Sequence, residues 1–178
     1  MTGLQIRPAT AADADALHAL INAHRSEGHL LPREPGEIAR HADRFVVCEV
    51  DGVVKACGAL APLSKRVAEV RSLVVAREFR RVGLAARLVG ELRGRARAAG
   101  FETLCAFTHD AGFFVRQNFS IVPHDWFPEK ITADCLGCPL FRRCGQYAMV
   151  FPLREVLRFA VAPAAAAARG RAVAQGAA

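Results

Sequence analysis

The stretch Glu69 to Leu92, E-V-R-S-L-V-V-A-R-E-F-R-R-V-G-L-A-A-R-L-V-G-E-L, changes its period partway along. Val67 to Ala76, which contains its first third, is rich in β-branched and apolar residues and reads as a strand. From Leu84 onward the apolar residues fall at Leu84, Leu88, Leu92 and Ala96, an i, i+4 spacing that predicts a long helix with one buried stripe. Between the two lies a basic, glycine-containing turn, R-R-V-G-L-A, from Arg80 to Ala85.

That turn has a chemistry of its own. A helix start leaves backbone N–H groups without partners and carries the positive end of the helix dipole, and together these make an anion site. Gly83 would let the backbone approach a pyrophosphate closely, and Ala85 would avoid a clash. Arg80 and Arg81 would add charge-assisted bonds.

Toward the N-terminus, Leu4 to Pro8 alternates as a short strand, and Thr10 reads as a helix N-cap with Asp13 and Asp15 in the first turn. Leu17, Leu20, Ile21 and His24 follow at helical spacing up to a stop at Gly28. His29 to Arg33 reads as a loop broken by Pro32, and Glu37 to Ala42 as a short helix. Phe45 to Val50 and Val53 to Leu60 are β-rich runs joined at Asp51-Gly52, a strong hairpin signal. Toward the C-terminus, Gly100 stops the long helix, Thr103 to Thr108 is a strand, and Ala111 to Gln117 is a short helix. Phe119 to Val122 and Tyr147 to Phe151 are the last strands, separated by a proline- and cysteine-bearing insert over residues 123–145.

The order is therefore β-α-α-β-β-β-α-β-α-β-β. Three consecutive strands before the long helix exclude a doubly wound parallel sheet. The fold class is α+β, a mixed central sheet flanked by helices on both faces, formed by residues 1–153. Residues 154–178 are alanine-rich, offer no second face to pack, and read as a disordered tail.

The 178 residues suit one domain, and 52% apolar with 23% charged residues suits a globular one. No apolar run approaches the roughly eighteen residues that span a bilayer, and no basic segment leads into an apolar stretch at the N-terminus. No membrane association and a cytoplasmic location are expected, where the six cysteines would stay reduced. The net charge of +7 owes much to Arg154, Arg158, Arg169 and Arg171. What remains suits an anionic ligand, whereas scattered arginines and few aromatics argue against a nucleic-acid partner.

Arg80, Gly83 and Ala85 resemble the Arg/Gln-x-x-Gly-x-Gly/Ala signature of the GNAT N-acetyltransferases. The segments H-L-L-P-R, A-E-V-R-S-L-V-V, F-F-V-R-Q-N-F, P-E-K-I and D-C-L-G-C-P-L-F-R-R-C are similar to short N-acetylglutamate synthases that lack a kinase domain, over about Leu4 to Phe151. Asn118 stands where that family usually has glycine. Asparagine is the next best residue for a left-handed helix stop, so the stop should survive.

The resemblance implies acetyl-CoA as co-substrate, held by Leu73, Val74 and Val75 of the strand and by Arg80, Arg81, Val82, Gly83, Leu84 and Ala85 of the loop. It implies Glu69 as general base, acting through water; the alternative is a solvent-facing strand glutamate. Val74 is the expected backbone oxyanion donor. Thr108 is the candidate proton donor for the departing thiolate, with His109 next and water as the alternative, because Phe113 and Phe114 occupy the segment where many GNAT enzymes carry tyrosine. Arg33, Arg71 and Lys130 would bind the carboxylates of an amino-acid substrate, against the alternative of solvated surface cations.

Cys48, Cys57 and Cys105 lie in strands and should be buried hydrophobes. Cys135, Cys138 and Cys144 form a C-x₂-C-x₅-C cluster that could bind zinc if His124 or Asp134 closed the site; a reduced thiol cluster, or a lid over the substrate, are the other readings, and no metal is assigned. The expected activity is amino-acid N-acetylation, with glutamate first. Another amine, or a non-catalytic module binding CoA or metal, are the alternatives, and a homodimer is compatible with the sequence.

Overall fold

The computed structural model describes residues 3–28, 30 and 33–154. The expected loop residues His29, Leu31 and Pro32, and the expected tail over 155–178, lie outside them. Seven strands form one sheet: β1 (Leu4–Pro8), β2 (Phe45–Val50), β3 (Val53–Pro62), β4 (Val67–Val75), β5 (Thr103–Thr108), β6 (Ser120–Val122) and β7 (Tyr147–Pro152). Their spatial order is β1-β2-β3-β4-β5-β7-β6, and only the β4–β5 pair is parallel. The sheet is therefore mixed, as the element order required.

Helix α1 (Ala14–Ala23), α2 (Arg25–Gly28) and α3 (Pro35–Arg40) precede β2, α4 (Leu84–Ala98) links β4 to β5, and α5 (Ala111–Arg116) follows β5. The strand alternation sorts the core onto two faces. Val46, Ala56, Ala68, Val70, Leu104 and Met149 turn toward α4 and α5. Val47, Cys57, Ala59 and Val74 turn the other way, onto Leu17 and Ile21 of α1 and Ile38 of α3. Farther along that second face, Cys105 and Ala148 pack on Phe127 of the insert.

Local chemistry sets most boundaries. Asp51 and Gly52 have φ of 50° and 79°, the left-handed pair that a tight hairpin needs. The long helix ends at Gly100, whose amide bonds Arg97 while Phe101 N–H bonds the Ala96 carbonyl. The same pattern closes α5: Asn118, at φ 64°, bonds Val115, and Phe119 N–H bonds the Phe114 carbonyl. The Phe114 and Phe119 rings meet edge-on at 5.2 Å, adding the apolar contact that accompanies such a stop.

Two details depart from the expected pattern. The first helix breaks at His24 rather than running to Gly28, because the His24 amide bonds Ile21 while its ring nitrogen Nδ1 takes the Leu20 carbonyl at 2.9 Å. And Asp13, expected only to face the helix dipole, is clamped by both Arg7 terminal nitrogens at 2.8 Å and accepts the Thr10 amide at 2.8 Å. Arg7 holds the Asp13 carboxyl well below the usual carboxylate range, outweighing the effect of burial.

The Asn118 stop yields a prediction. Asn118→Ala should lower the unfolding free energy by about 1 kcal/mol, because a side chain with Cβ and no local hydrogen bond resists positive φ. Asn118→Gly should hold or raise it. Urea melts that show equal losses for both would contradict the left-handed stop.

Candidate acetyl-transfer site

The site begins where β4 and β5 part. Their parallel register runs Val67↔Thr103, Ala68↔Leu104, Glu69↔Cys105 and Val70↔Ala106, and goes no further, although β4 continues to Val75. The cause lies in β4 itself. Its pairing with β3 shifts between Cys57 and Ala59, and Ser72 sits there at φ 49°. This bulge bends β4 away from β5. Gly58 makes room for it: a Cβ at that position would lie 3.0 Å from a Leu92 methyl and 3.3 Å from a Leu73 methyl. A cleft of about 1100 Å³ fills the opening.

The helix α4 points its N-terminus into this cleft. Gly83 caps the helix at φ 85°, and Arg81 is also left-handed at φ 65°. Gly83, Leu84, Ala85 and Arg81 line the opening, whereas Val82 is 59% exposed and lies outside it. The first-turn amides have no intrahelical acceptor by construction, which suits them to phosphate oxygens. A positive φ without neighbours near the Cβ position means that Gly83 answers a backbone requirement and not a crowding one.

Two residues expected at the cofactor also have partners within the protein. Arg80, expected on the pyrophosphate, donates through Nε to the Val75 carbonyl at 3.0 Å and through a terminal nitrogen to Glu27 at 2.7 Å. It braces the loop against β4 and α2. Arg80 and Arg77 together hold the exposed Glu27 carboxyl below its usual range. Val74, expected as oxyanion donor, stands opposite Cys57 in the antiparallel register with β3. The neighbouring Ala76 amide bonds Lys55 at 2.8 Å, so alternation along the strand leaves the Val75 amide on the cleft side.

At the other end of the cleft stands a group of buried charges. Glu69 is only 3% exposed, which removes the solvent-facing alternative. Lys130, 7% exposed, donates to its two oxygens at 2.8 and 3.1 Å, and Arg71 Nε donates to Oε2 at 2.6 Å. Asp134 closes the group, 2.8 Å from Lys130 and in direct contact with Arg71. Two anions thus meet two cations, and the four charges cancel. Burial alone would raise the Asp134 carboxyl, yet Lys130 and Arg71 hold it below the usual range. Burial likewise opposes the charged form of Arg71, and Glu69 and Asp134 outweigh it.

Lys130 and Asp134 come from the insert, which crosses the second face of the sheet through α6 (Pro128–Lys130) and a π-helical turn (Ile131–Cys135). Phe107 of β5 lies beneath the ammonium at 5.0 Å, a cation–π contact. Arg33 reaches the same cleft from the loop before α3, ion-paired to Glu37, with its Nε buried and unpartnered among the described residues. Its carbonyl lies 2.8 Å from His18 Nδ1, which ties the loop to α1. Thr108 also lines the cleft, on the α4 face; its hydroxyl accepts the Asp110 amide at 3.0 Å and keeps its own proton to donate.

So Glu69, Thr108, Leu73, Val74, Val75, Arg80, Arg81, Gly83, Leu84, Ala85, Arg33, Arg71 and Lys130 share one cleft. Asp134 was missed as a charge partner, although Lys130 and Asp134 stand at the i, i+4 spacing of a helical ion pair. As a zinc ligand it is already committed, and among the described residues no three His, Cys, Asp or Glu side chains gather as metal donors. Cys135, Cys138 and Cys144 instead line the cleft with Leu140 and Phe141, the lid-like placement that was one of the open readings. No described helix is long and apolar enough to cross a membrane.

With this geometry the relatives become informative. Residues 14–119 match the Acetyltransferase (GNAT) family. An uncharacterized N-acetyltransferase of Chlorobaculum tepidum is 34% identical over 82% of this chain and 94% of its own length. The chain belongs to the GNAT acetyltransferase family and is an acyltransferase of that class. More particularly, an amino-acid acetyltransferase of Ralstonia nicotianae is 33% identical over 70% of this chain, which spans 28% of that longer protein. Among solved structures, N-acetylglutamate synthase of Neisseria gonorrhoeae, complexed with coenzyme A and N-acetylglutamate, superposes with a TM-score of 0.74 at 23% identity. It covers 87% of this chain and 36% of that one. Rv2747 of Mycobacterium tuberculosis, in complex with CoA and NLQ, has a TM-score of 0.71 at 23% identity and covers 84% and 99% of the two chains.

Thiol reactivity tests the packing. Burial pushes the Cys57 thiol up to about 12 and raises Cys105 as well. Cys135, Cys138 and Cys144 are open to the cleft or to solvent. An aromatic disulfide reagent should therefore label three of the six thiols in the native protein and all six only after unfolding. Rapid native labelling of Cys48, Cys57 or Cys105 would contradict it.

Proposed function

We propose that this chain is a cytoplasmic, acetyl-CoA-dependent amino-acid N-acetyltransferase whose acceptor is the α-amine of glutamate, supplying N-acetylglutamate for arginine biosynthesis. The observation that carries this reading is the pairing of Arg71 and Lys130 with Glu69 in the same cleft that Arg33 lines. A polyamine or an aminoglycoside would call for an excess of anions; here Arg71 and Lys130 balance Glu69 and Asp134, and Arg33 adds a buried Nε without a partner among the described residues, which suits a carboxylate.

The residues suit direct transfer in a ternary complex. Amides of residues 84–86 and the side chain of Arg81 would hold the pyrophosphate, and the cleft edge of β4 at Leu73 and Val75 would hold the pantetheine arm. The thioester carbonyl would then lie beside the Ser72 bulge, where a β4 amide on the cleft side can receive the oxyanion. Glu69 would take a proton from the substrate ammonium through water, so that the neutral amine forms the N–C bond. As the C–S bond breaks, the Thr108 hydroxyl would relay a proton from cleft water to the thiolate, taking one up as it gives one away. Glu69 and Thr108 thus serve opposite faces of one opening, which keeps the two proton transfers apart.

Release of free CoA thiol across a panel of amines tests the reading. Glutamate should give the highest kcat/KM; turnover confined to polyamines, peptides or aminoglycosides would contradict it. Glu69→Gln should lower kcat by about 10²-fold or more, the range for a positioned base. Its pH optimum should move upward, because transfer would then depend on amine already neutral in solution. An unchanged rate and profile would remove Glu69 from the chemistry.

A further inference from the structure

Asp134 has no assigned role, and its position gives it one. Of the four charges it is the most open: its side chain keeps 22% of its exposure, against 4% for Glu69, 9% for Lys130 and 16% for Arg71. Glu69 and Arg71 are fixed in β4. Asp134 rides instead on the π-helical turn Ile131–Cys135, closed by a bond from the Leu136 amide to the Ile131 carbonyl at 3.1 Å. Such turns are wide, marginal and common at functional sites. Its carboxylate touches the two cations that Glu69 alone leaves half-neutralised.

We propose that Asp134 is a displaceable stand-in for the substrate carboxylate, which keeps Arg71 and Lys130 paired until an acceptor enters and sets how tightly dicarboxylates bind. This rests on the acceptor reading above and deepens it. A buried pair of cations facing one anion would carry a net charge at high desolvation cost, so the empty site needs a second anion. Asp134 supplies it from within. An incoming carboxylate replaces one oxygen anion by another at the same cations, and the charge count of the site does not change. Apparent affinity is the intrinsic affinity multiplied by the fraction of molecules in which Asp134 has already moved aside; if that fraction is about a tenth, apparent affinity falls about tenfold.

The test uses the full chain saturated with CoA, with glutarate as a carboxylate probe that carries no amine. Asp134→Asn should bind glutarate about tenfold more tightly than the native protein, and its KM for glutamate should fall by a similar factor. Glutarate affinity that is equal or weaker in the variant overturns the proposal, as does a fall in kcat without a fall in KM. Should both proteins acetylate no amino acid while glutarate still binds more tightly to Asp134→Asn, the glutamate reading fails and the stand-in remains. If Asp134→Asn does not fold, the native chain still decides: glutarate should speed amide hydrogen exchange over residues 131–136, and unchanged exchange overturns the proposal.

Discussion

The parting of β4 from β5 after Val70↔Ala106 is the constraint on which the site depends. Two parallel neighbours would ordinarily satisfy each other's backbone along their whole length. Here the left-handed Ser72 and the register shift opposite Gly58 turn β4 aside, leaving the backbone of residues 71–75 along an open edge. A non-glycine residue at positive φ costs about 1–2 kcal/mol. Such strain persists only where the surroundings enforce it, and it gathers at functional sites. The enforcement is visible: Leu92 of α4 and Leu73 close on Gly58, so helix, bulge and neighbouring strand fit only in this arrangement.

What the opening exposes is asymmetric in charge. One end meets the start of α4, where amides and dipole favour anions without any buried side-chain charge. The other end meets the Glu69–Arg71–Lys130–Asp134 group, where two buried and two half-buried charges are tolerable only because they cancel and each finds partners. An anion-binding end and a balanced ionic end, bridged by a strand edge offering amides, are the parts acyl transfer between a diphosphate-tailed thioester and a charged amine calls for. The insert completes the second end, because Lys130 and Asp134 arrive on it rather than on the sheet.

Much of this was legible in the chain because it is written over short distances. Strand periodicity placed β1, β2 and β5 to the residue, and Asp51-Gly52, Gly100 and Asn118 marked their turns through backbone requirements local to each. The R-R-V-G-L-A turn announced the helix start that lines the cleft. What escaped notice depends on partners far along the chain. Arg80 is drawn off by Glu27, 53 residues away, and Asp134 meets Arg71 across 63. The Ser72 bulge carries no glycine or proline to announce it, being imposed by packing across Gly58. The break at His24 turns on a ring nitrogen taking a helix carbonyl, which periodicity does not register.

The most direct measurement is a calorimetric titration of CoA into the native chain and into Gly83→Val. A β-branched residue cannot take φ 85° without strain, and the first-turn amides it precedes would be turned from the cleft. The native protein should bind CoA at about micromolar Kd, and Gly83→Val at least tenfold more weakly with an unchanged circular dichroism spectrum. Equal affinities, or no binding to the native chain, would contradict a diphosphate site at the start of α4.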